Sequence, residues 1–86
     1  MSCARHVLYH ADRIALELFC FSDEPWTWID HRRQIFGVED DDQGTITWRN
    51  TAGEVVEVTD CADATPEMDQ LIEEHRACLT RVEAAA

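Results

Sequence analysis

Two pairs of histidine and cysteine residues, near opposite ends of the chain, are the side chains best suited to chemistry. Cys3 and His6 are separated by two residues, and His75 and Cys78 are separated in the same way. Zinc uses four nitrogen and sulfur ligands that come in closely spaced pairs, so these residues could form one zinc site. His75 and Cys78 also lie on the apolar stripe of a predicted helix, where core packing explains them. We expect a structural role for them, with no metal and no cofactor.

The sequence lacks the usual catalytic patterns. Neither of its two serines, Ser2 and Ser22, lies in a nucleophile motif, and its three glycines form no phosphate-binding loop. Asp30 and His31 are adjacent, and neighbours on a helix point to different sides. The acidic run 39–42 lacks the ligand spacing and the twelfth-position glutamate of a calcium loop. The sequence therefore predicts that the protein is not an enzyme.

Acidic residues dominate the middle of the chain. The formal net charge is -11 at pH 7, and residues 37–75 account for all of it, since they contain twelve acids and one base, Arg49. A field of one sign repels nucleic acid and anionic membranes and attracts basic partners. The predicted partner-binding residues are these twelve acids: Glu39, Asp40, Asp41, Asp42, Glu54, Glu57, Asp60, Asp63, Glu67, Asp69, Glu73 and Glu74.

Aromatic and basic side chains refine this prediction. Trp26 and Trp28 are predicted to contact the partner too, because tryptophan is a preferred interface anchor; the alternative is that each is half-buried on the protein's own core. Trp48 alternates with Ile46 in a predicted strand and is expected in the core. All seven basic residues are arginines. Because arginine forms forked ion pairs, we expect these few cations to stabilise the fold rather than form a binding patch.

Length and composition indicate one small domain, residues 1–86. Hydrophobic residues make up 45% of the chain, as in folded proteins. No apolar run approaches the roughly 20 residues that cross a membrane, and the N-terminus shows no signal-peptide pattern. These features predict a cytoplasmic protein whose four cysteines are reduced.

The first third of the sequence favours helices. Val7, Ala11, Ile14, Leu18 and Phe21 recur at helical spacing and predict a helix over 4–21. The alternative is two strands, 6–10 and 14–21, joined by a turn; it would leave phenylalanines on the supposed polar face of the second strand. A second helix is predicted from Pro25, a favoured first helical residue, to Gly37, a natural stop.

The remainder predicts a hairpin and a helix. Segments 45–49 and 54–59 are alternating and β-branched and flank a turn at 50–53. Thr65 and Pro66 are typical of a helix start, and an apolar stripe then continues to Val82. The predicted fold class is α+β, with two N-terminal helices, a central antiparallel β-hairpin and a C-terminal amphipathic helix.

In size, charge and predicted architecture the chain resembles the small acidic inhibitors of host defence that phages and mobile elements encode. These include DNA-mimicking anti-restriction proteins and anti-CRISPR proteins. The resemblance implies a non-enzymatic protein that occupies the basic nucleic-acid-binding surface of a host protein or ribonucleoprotein complex, without binding nucleic acid itself. The alternative function is a structural or assembly subunit that forms a homodimer through its apolar N-terminal helix and its tryptophans.

Overall fold

Six antiparallel strands and one long helix form the structure. The computed structural model describes residues 3–21, 25–40 and 42–85, with side chains for 5–20, 25–40 and 42–78. The strands lie side by side in chain order as one sheet. They are β1 (Cys3–His10), β2 (Arg13–Phe21), β3 (Thr27–Asp30), β4 (Ile35–Asp40), β5 (Thr45–Arg49) and β6 (Val55–Asp60), followed by a 3-10 turn (Cys61–Asp63) and helix α1 (Pro66–Ala85).

The prediction of two N-terminal helices is wrong. Residues 4–21 form the hairpin of β1 and β2, as in the two-strand alternative, and the segment from Pro25 to Gly37 contains β3, a turn and part of β4. The β5–β6 hairpin and α1 are present where the patterns predict them. The hairpin is not a separate central unit, however, because β5 pairs with β4 and extends the sheet. The fold is therefore mostly β.

One face of the sheet, the inner face, contains the core. Alternate residues of β2 to β5 point towards it, and α1 packs on it mainly over β1 and β2. The buried apolar residues form one cluster: Leu16, Leu18, Trp28, Ile35, Ile46, Trp48, Met68 and Leu71. This cluster lies between sheet and helix, so the two-layer arrangement excludes water from one side of the sheet only.

Gly37 is a packing residue rather than a helix stop. It lies in β4, paired with Trp28 on one side and Trp48 on the other. A Cβ atom at this position would lie 2.8 Å from a methyl carbon of Ile46 and 2.9 Å from the Trp48 ring. Only glycine therefore leaves room for the side chains of Ile46 and Trp48 to pack against β4 at this position.

The start of α1 follows the sequence pattern. The Thr65 hydroxyl accepts a hydrogen bond from the Met68 amide at 3.2 Å, which satisfies one of the free donors of the first turn. Pro66 is the first helical residue, where its missing N–H costs nothing. None of the described helical residues form a segment long and apolar enough to cross a membrane.

Candidate functional site

The β3–β4 turn holds two arginines against a buried carboxylate. Asp30 is 6% exposed, and its Oδ1 accepts hydrogen bonds from the backbone amides of Arg32 and Arg33. The Arg33 Nε donates to its Oδ2 at 3.1 Å. Burial alone would raise the pKa of Asp30, but these hydrogen bonds outweigh it and the pKa lies below its ordinary value. Asp30 therefore stabilises the turn as a carboxylate, and the adjacent His31 contacts Glu17 instead.

Two of the predicted partner-binding acids complete this arginine cluster. Glu67, from the first turn of α1, contacts His10 and lies 3.3 Å from the Arg32 guanidinium. Hydrogen bonds from His10 and Arg32 lower the pKa of Glu67. Glu57, on β6, lies 3.3 Å from Arg33. Both acids are thus neutralised within the protein, which makes them poor candidates for contacts to a partner.

A second ion-pair cluster lies on the opposite face of the sheet and was not predicted from the sequence. Glu17, in the middle of β2, is 6% exposed although its side chain points away from the core. Its carboxylate accepts hydrogen bonds from Arg5 Nε at 2.6 Å and is 3.0 Å from His31 Nε2. The Arg5 hydrogen bond is the main reason that the pKa of Glu17 lies below its ordinary value.

Other predicted contact residues serve the fold. Trp28 is fully buried, and its Nε1 donates to Glu39 at 2.9 Å, so neither side chain is presented to a partner. Trp26 is half-buried with its ring edge-on to His75. Glu54 accepts a hydrogen bond from the Asn50 amide group within the β5–β6 turn. Glu74 is exposed, and its carboxylate lies 4.0 Å from the His6 ring.

Six predicted contact acids are exposed and form neither an ion pair nor a hydrogen bond to another side chain within the part of the chain whose side chains the structure describes. We call them the solvent-facing acids: Asp40, Asp42, Asp60, Asp63, Asp69 and Glu73. Asp40 and Asp60 lie in one row on either side of Thr45, with their Cα atoms about two strand spacings, or ~10 Å, apart. Asp69 and Glu73 are one helical turn apart on α1. Asp41 lies outside the described residues.

The backbone fixes the positions of two of these acids. Asp40 Oδ1 accepts from the amides of Asp42 and Gln43, and Asp60 Oδ1 accepts from the amide of Ala62. Asp42 and Asp63 follow in those two turns. The end of the sheet where β4 and β6 finish therefore presents carboxylates, whereas the end with the β3–β4 turn holds Arg32 and Arg33 in ion pairs.

Of the four histidines and cysteines that were considered as zinc ligands, the structure describes the side chains of His6, His75 and Cys78. The side chain of Cys3 lies outside the described residues, and His75 Nε2 is 3.0 Å from the sulfur of Cys20. His6 packs edge-on against His75 with ring centroids 5.1 Å apart. Among the described side chains, no group of three or more potential ligands is arranged to hold a metal ion. His75 is a core residue whose pKa is lowered by burial and by the neighbouring His6.

These pKa shifts predict that acidification destabilises the fold. The pKa of His75 is below 6.5 and those of Glu17 and Asp30 are below their ordinary values of 4.5 and 3.8. In each case the unfolded chain binds the proton first, so stability falls as the pH decreases.

We expect urea unfolding to show a first decrease in unfolding free energy below about pH 6.5 and a second below about pH 4.5. His75→Gln should remove the first decrease and leave the second. An unfolding free energy that rises steadily on acidification would show that relief of the net negative charge outweighs these groups.

Comparisons with protein-family models, with curated proteins and with solved structures find no match to this chain. Its function must therefore be argued from the distribution of its charges.

Proposed function

We propose that the protein is a non-enzymatic acidic binding protein of the cytoplasm that occupies a basic nucleic-acid-binding surface of a host protein complex. Inhibitors of the anti-CRISPR or DNA-mimic type, from phages or mobile elements, act in this way. The observation that carries the proposal is the separation of charge within the fold. Arg5, Arg32 and Arg33 form ion pairs with acids of the same chain, whereas the solvent-facing acids form no ion pair with any side chain that the structure describes.

The spacing of these carboxylates suits a surface that normally binds phosphates. A duplex presents one phosphate per ~3.4 Å of axis on each strand, so carboxylates spread over ~6–10 Å can occupy several phosphate-binding positions. Asp69 and Glu73, four residues apart on α1, are ~6 Å apart along the helix axis. Opposite charges also accelerate the encounter of the two proteins.

Affinity capture tests this function directly. The immobilised protein should retain nucleic-acid-binding proteins or ribonucleoproteins from a bacterial lysate at about 50 mM salt and release most of them by about 200 mM. Duplex DNA added at constant salt should release the same proteins, because DNA and the acidic surface would compete for one basic site. The protein alone should not bind that DNA. Partners that stay bound when either salt or DNA is added would contradict the proposal.

The structure removes the premises of the alternative function that the sequence suggested, a homodimer formed through an N-terminal helix and tryptophans. It required an apolar N-terminal helix, and that segment forms β1 and β2. It also required exposed tryptophans, and Trp28 is buried.

A further inference from the structure

The face of the sheet opposite α1 contains exposed apolar residues among its charged and polar ones, although antiparallel sheets usually present polar residues on the face that contacts water. We call it the outer face. Phe36, Val38, Val55 and Val58 are 41%, 45%, 50% and 59% exposed, and no element within the described residues packs over them. Ile29 and Phe19 lie half-buried beside them on neighbouring strands. Exposed apolar patches of this kind are typical of protein–protein interfaces.

One row of side chains across the outer face has a sequence that reads almost the same in both directions. The pairing registers place one residue from each strand in this row, from β1 to β6: Val7, Glu17, Ile29, Phe36, Arg49 and Val55. In order they are apolar, acidic, apolar, apolar, basic and apolar. If the same row from a second copy lies over it in the opposite order, apolar residues face apolar residues and the acidic residue faces the basic one.

We propose that the outer face binds a second copy of this chain, face to face, about a two-fold axis parallel to the strands. Such an axis reverses the strand order and keeps each row opposite itself. Val7 then packs on Val55, Ile29 on Phe36, and Arg49 lies opposite Glu17, twice in each dimer. A closed two-fold interface must be self-complementary in this way.

The adjacent row fits the same arrangement. From β1 to β6 it contains Arg5, Phe19, Thr27, Val38, Thr47 and Val58. Reversal brings Phe19 over Thr47 and Thr27 over Val38. It also brings Arg5 over Val58, one position away from Asp60. Each ion cluster of the dimer then contains Arg5 and Glu17 from one copy and Arg49 and Asp60 from the other, two cations and two acids.

The dimensions of the face are sufficient for association. Six strands spaced ~4.8 Å apart and ~17 Å long give a face of about 500 Å² per copy, or about 1,000 Å² in total, the lower limit for a specific interface. Aligned packing of two sheets about 10 Å apart is a common arrangement. The two rows contain two arginines and one acid, and the next row of the same face places Asp40 and Asp60 at the edge of this interface.

Sedimentation equilibrium between about 1 μM and 1 mM tests the proposal. The mass of the wild-type chain should rise with concentration to that of a dimer and no further. Val38→Asp, close to the axis, and Arg49→Glu, which places a second acid opposite Glu17, should each raise the dissociation constant at least about tenfold. Ala77→Asp is the matched control: it adds an acid at an exposed position of α1, on the opposite layer, and should leave dimerisation unchanged.

Arg49→Glu decides the result even if Val38→Asp does not fold, because the one hydrogen bond that the Arg49 guanidinium donates within the described residues goes to the Gly53 carbonyl in an exposed turn. A chain that remains monomeric throughout the range would overturn the proposal and would leave the face to a different partner. Wild-type affinity of Arg49→Glu, or assembly beyond a dimer, would equally overturn the two-fold arrangement. The acids tested for the proposed function are unchanged in these variants, so the two ideas can fail separately.

Discussion

Reversing the charge of Asp69 and Glu73 should weaken binding to a captured basic partner at least tenfold. Asp69→Lys together with Glu73→Lys changes the net charge from -11 to -7, because each substitution adds two positive charges. Placing lysines against a basic surface removes two attractions and adds repulsion, whose combined cost exceeds the ~0.2–1 kcal/mol of one exposed ion pair. The fold should persist, since both side chains are exposed on α1. Titration of the partner at about 50 mM salt measures the effect.

A control with the same net charge separates location from total charge. Asp12→Lys, Thr51→Lys and Ala52→Lys together also give -7, but these exposed residues lie in the β1–β2 and β5–β6 turns, away from the ends of β4 and β6. This control should bind within about threefold of wild type. If it loses as much affinity as the Asp69 and Glu73 variant, net charge alone determines binding and no particular surface is involved. If neither variant loses affinity, the acids contribute only solubility.

The structure also restricts which acids such an experiment should include. The sequence pattern places four acids on the solvent-exposed side of the last helix: Glu67, Asp69, Glu73 and Glu74. It predicts that the charge of all four can be reversed without loss of the fold. Glu67, however, contacts His10 and Arg32, so Glu67→Lys would remove both contacts and put a lysine next to Arg32. A loss of binding by that variant could not be separated from damage to the fold.

The residues at the turns explain which strands could be predicted from the sequence. The β4–β5 and β5–β6 turns use Gly44 and Gly53 at positive φ, and glycine between alternating apolar segments is the usual hairpin signal. The β1–β2 and β3–β4 turns instead place Ala11 and Gln34 at φ values of 56° and 57°, which non-glycine residues seldom adopt. The sequences of these turns therefore resemble the interior of a helix. The apolar residues of the outer face, added to those of the core, also produce the spacing that predicts a helix.

The sequence predicts how many charged residues the protein has but not which of them form ion pairs. Composition shows an acidic middle and few arginines, and the expectation that arginines stabilise the fold agrees with the ion pairs of Arg5, Arg32 and Arg33. The partners could not be predicted, since Arg33 meets Glu57 across the sheet and His10 meets Glu67 from opposite ends of the chain. Only the strand order brings those residues together, and it leaves the solvent-facing acids without an ion pair among the described side chains.

Replacing Trp28 should produce the largest loss of stability among single substitutions in this chain. Its ring is 0% exposed at the centre of the sheet, between Leu18 and Gly37 on the neighbouring strands. Trp28→Ala leaves a cavity and removes the hydrogen bond to Glu39, at a cost of about 3–5 kcal/mol. Small domains have total stabilities of about 5–15 kcal/mol, with short chains near the lower end, so most of the unfolding free energy should be lost. Urea unfolding followed by circular dichroism measures it.

Two further variants separate the contributions of the ring. Trp28→Phe keeps most of the apolar contact but removes the Nε1 donor that reaches Glu39 at 2.9 Å, and it should cost about 1–3 kcal/mol. Trp26→Ala, at a half-buried position next to His75, should cost less than Trp28→Ala because part of that ring already contacts water. A Trp28→Ala protein with wild-type stability but weak partner binding would restore Trp28 as a contact residue. A large loss of stability would instead place its role in the packing between β2 and β4.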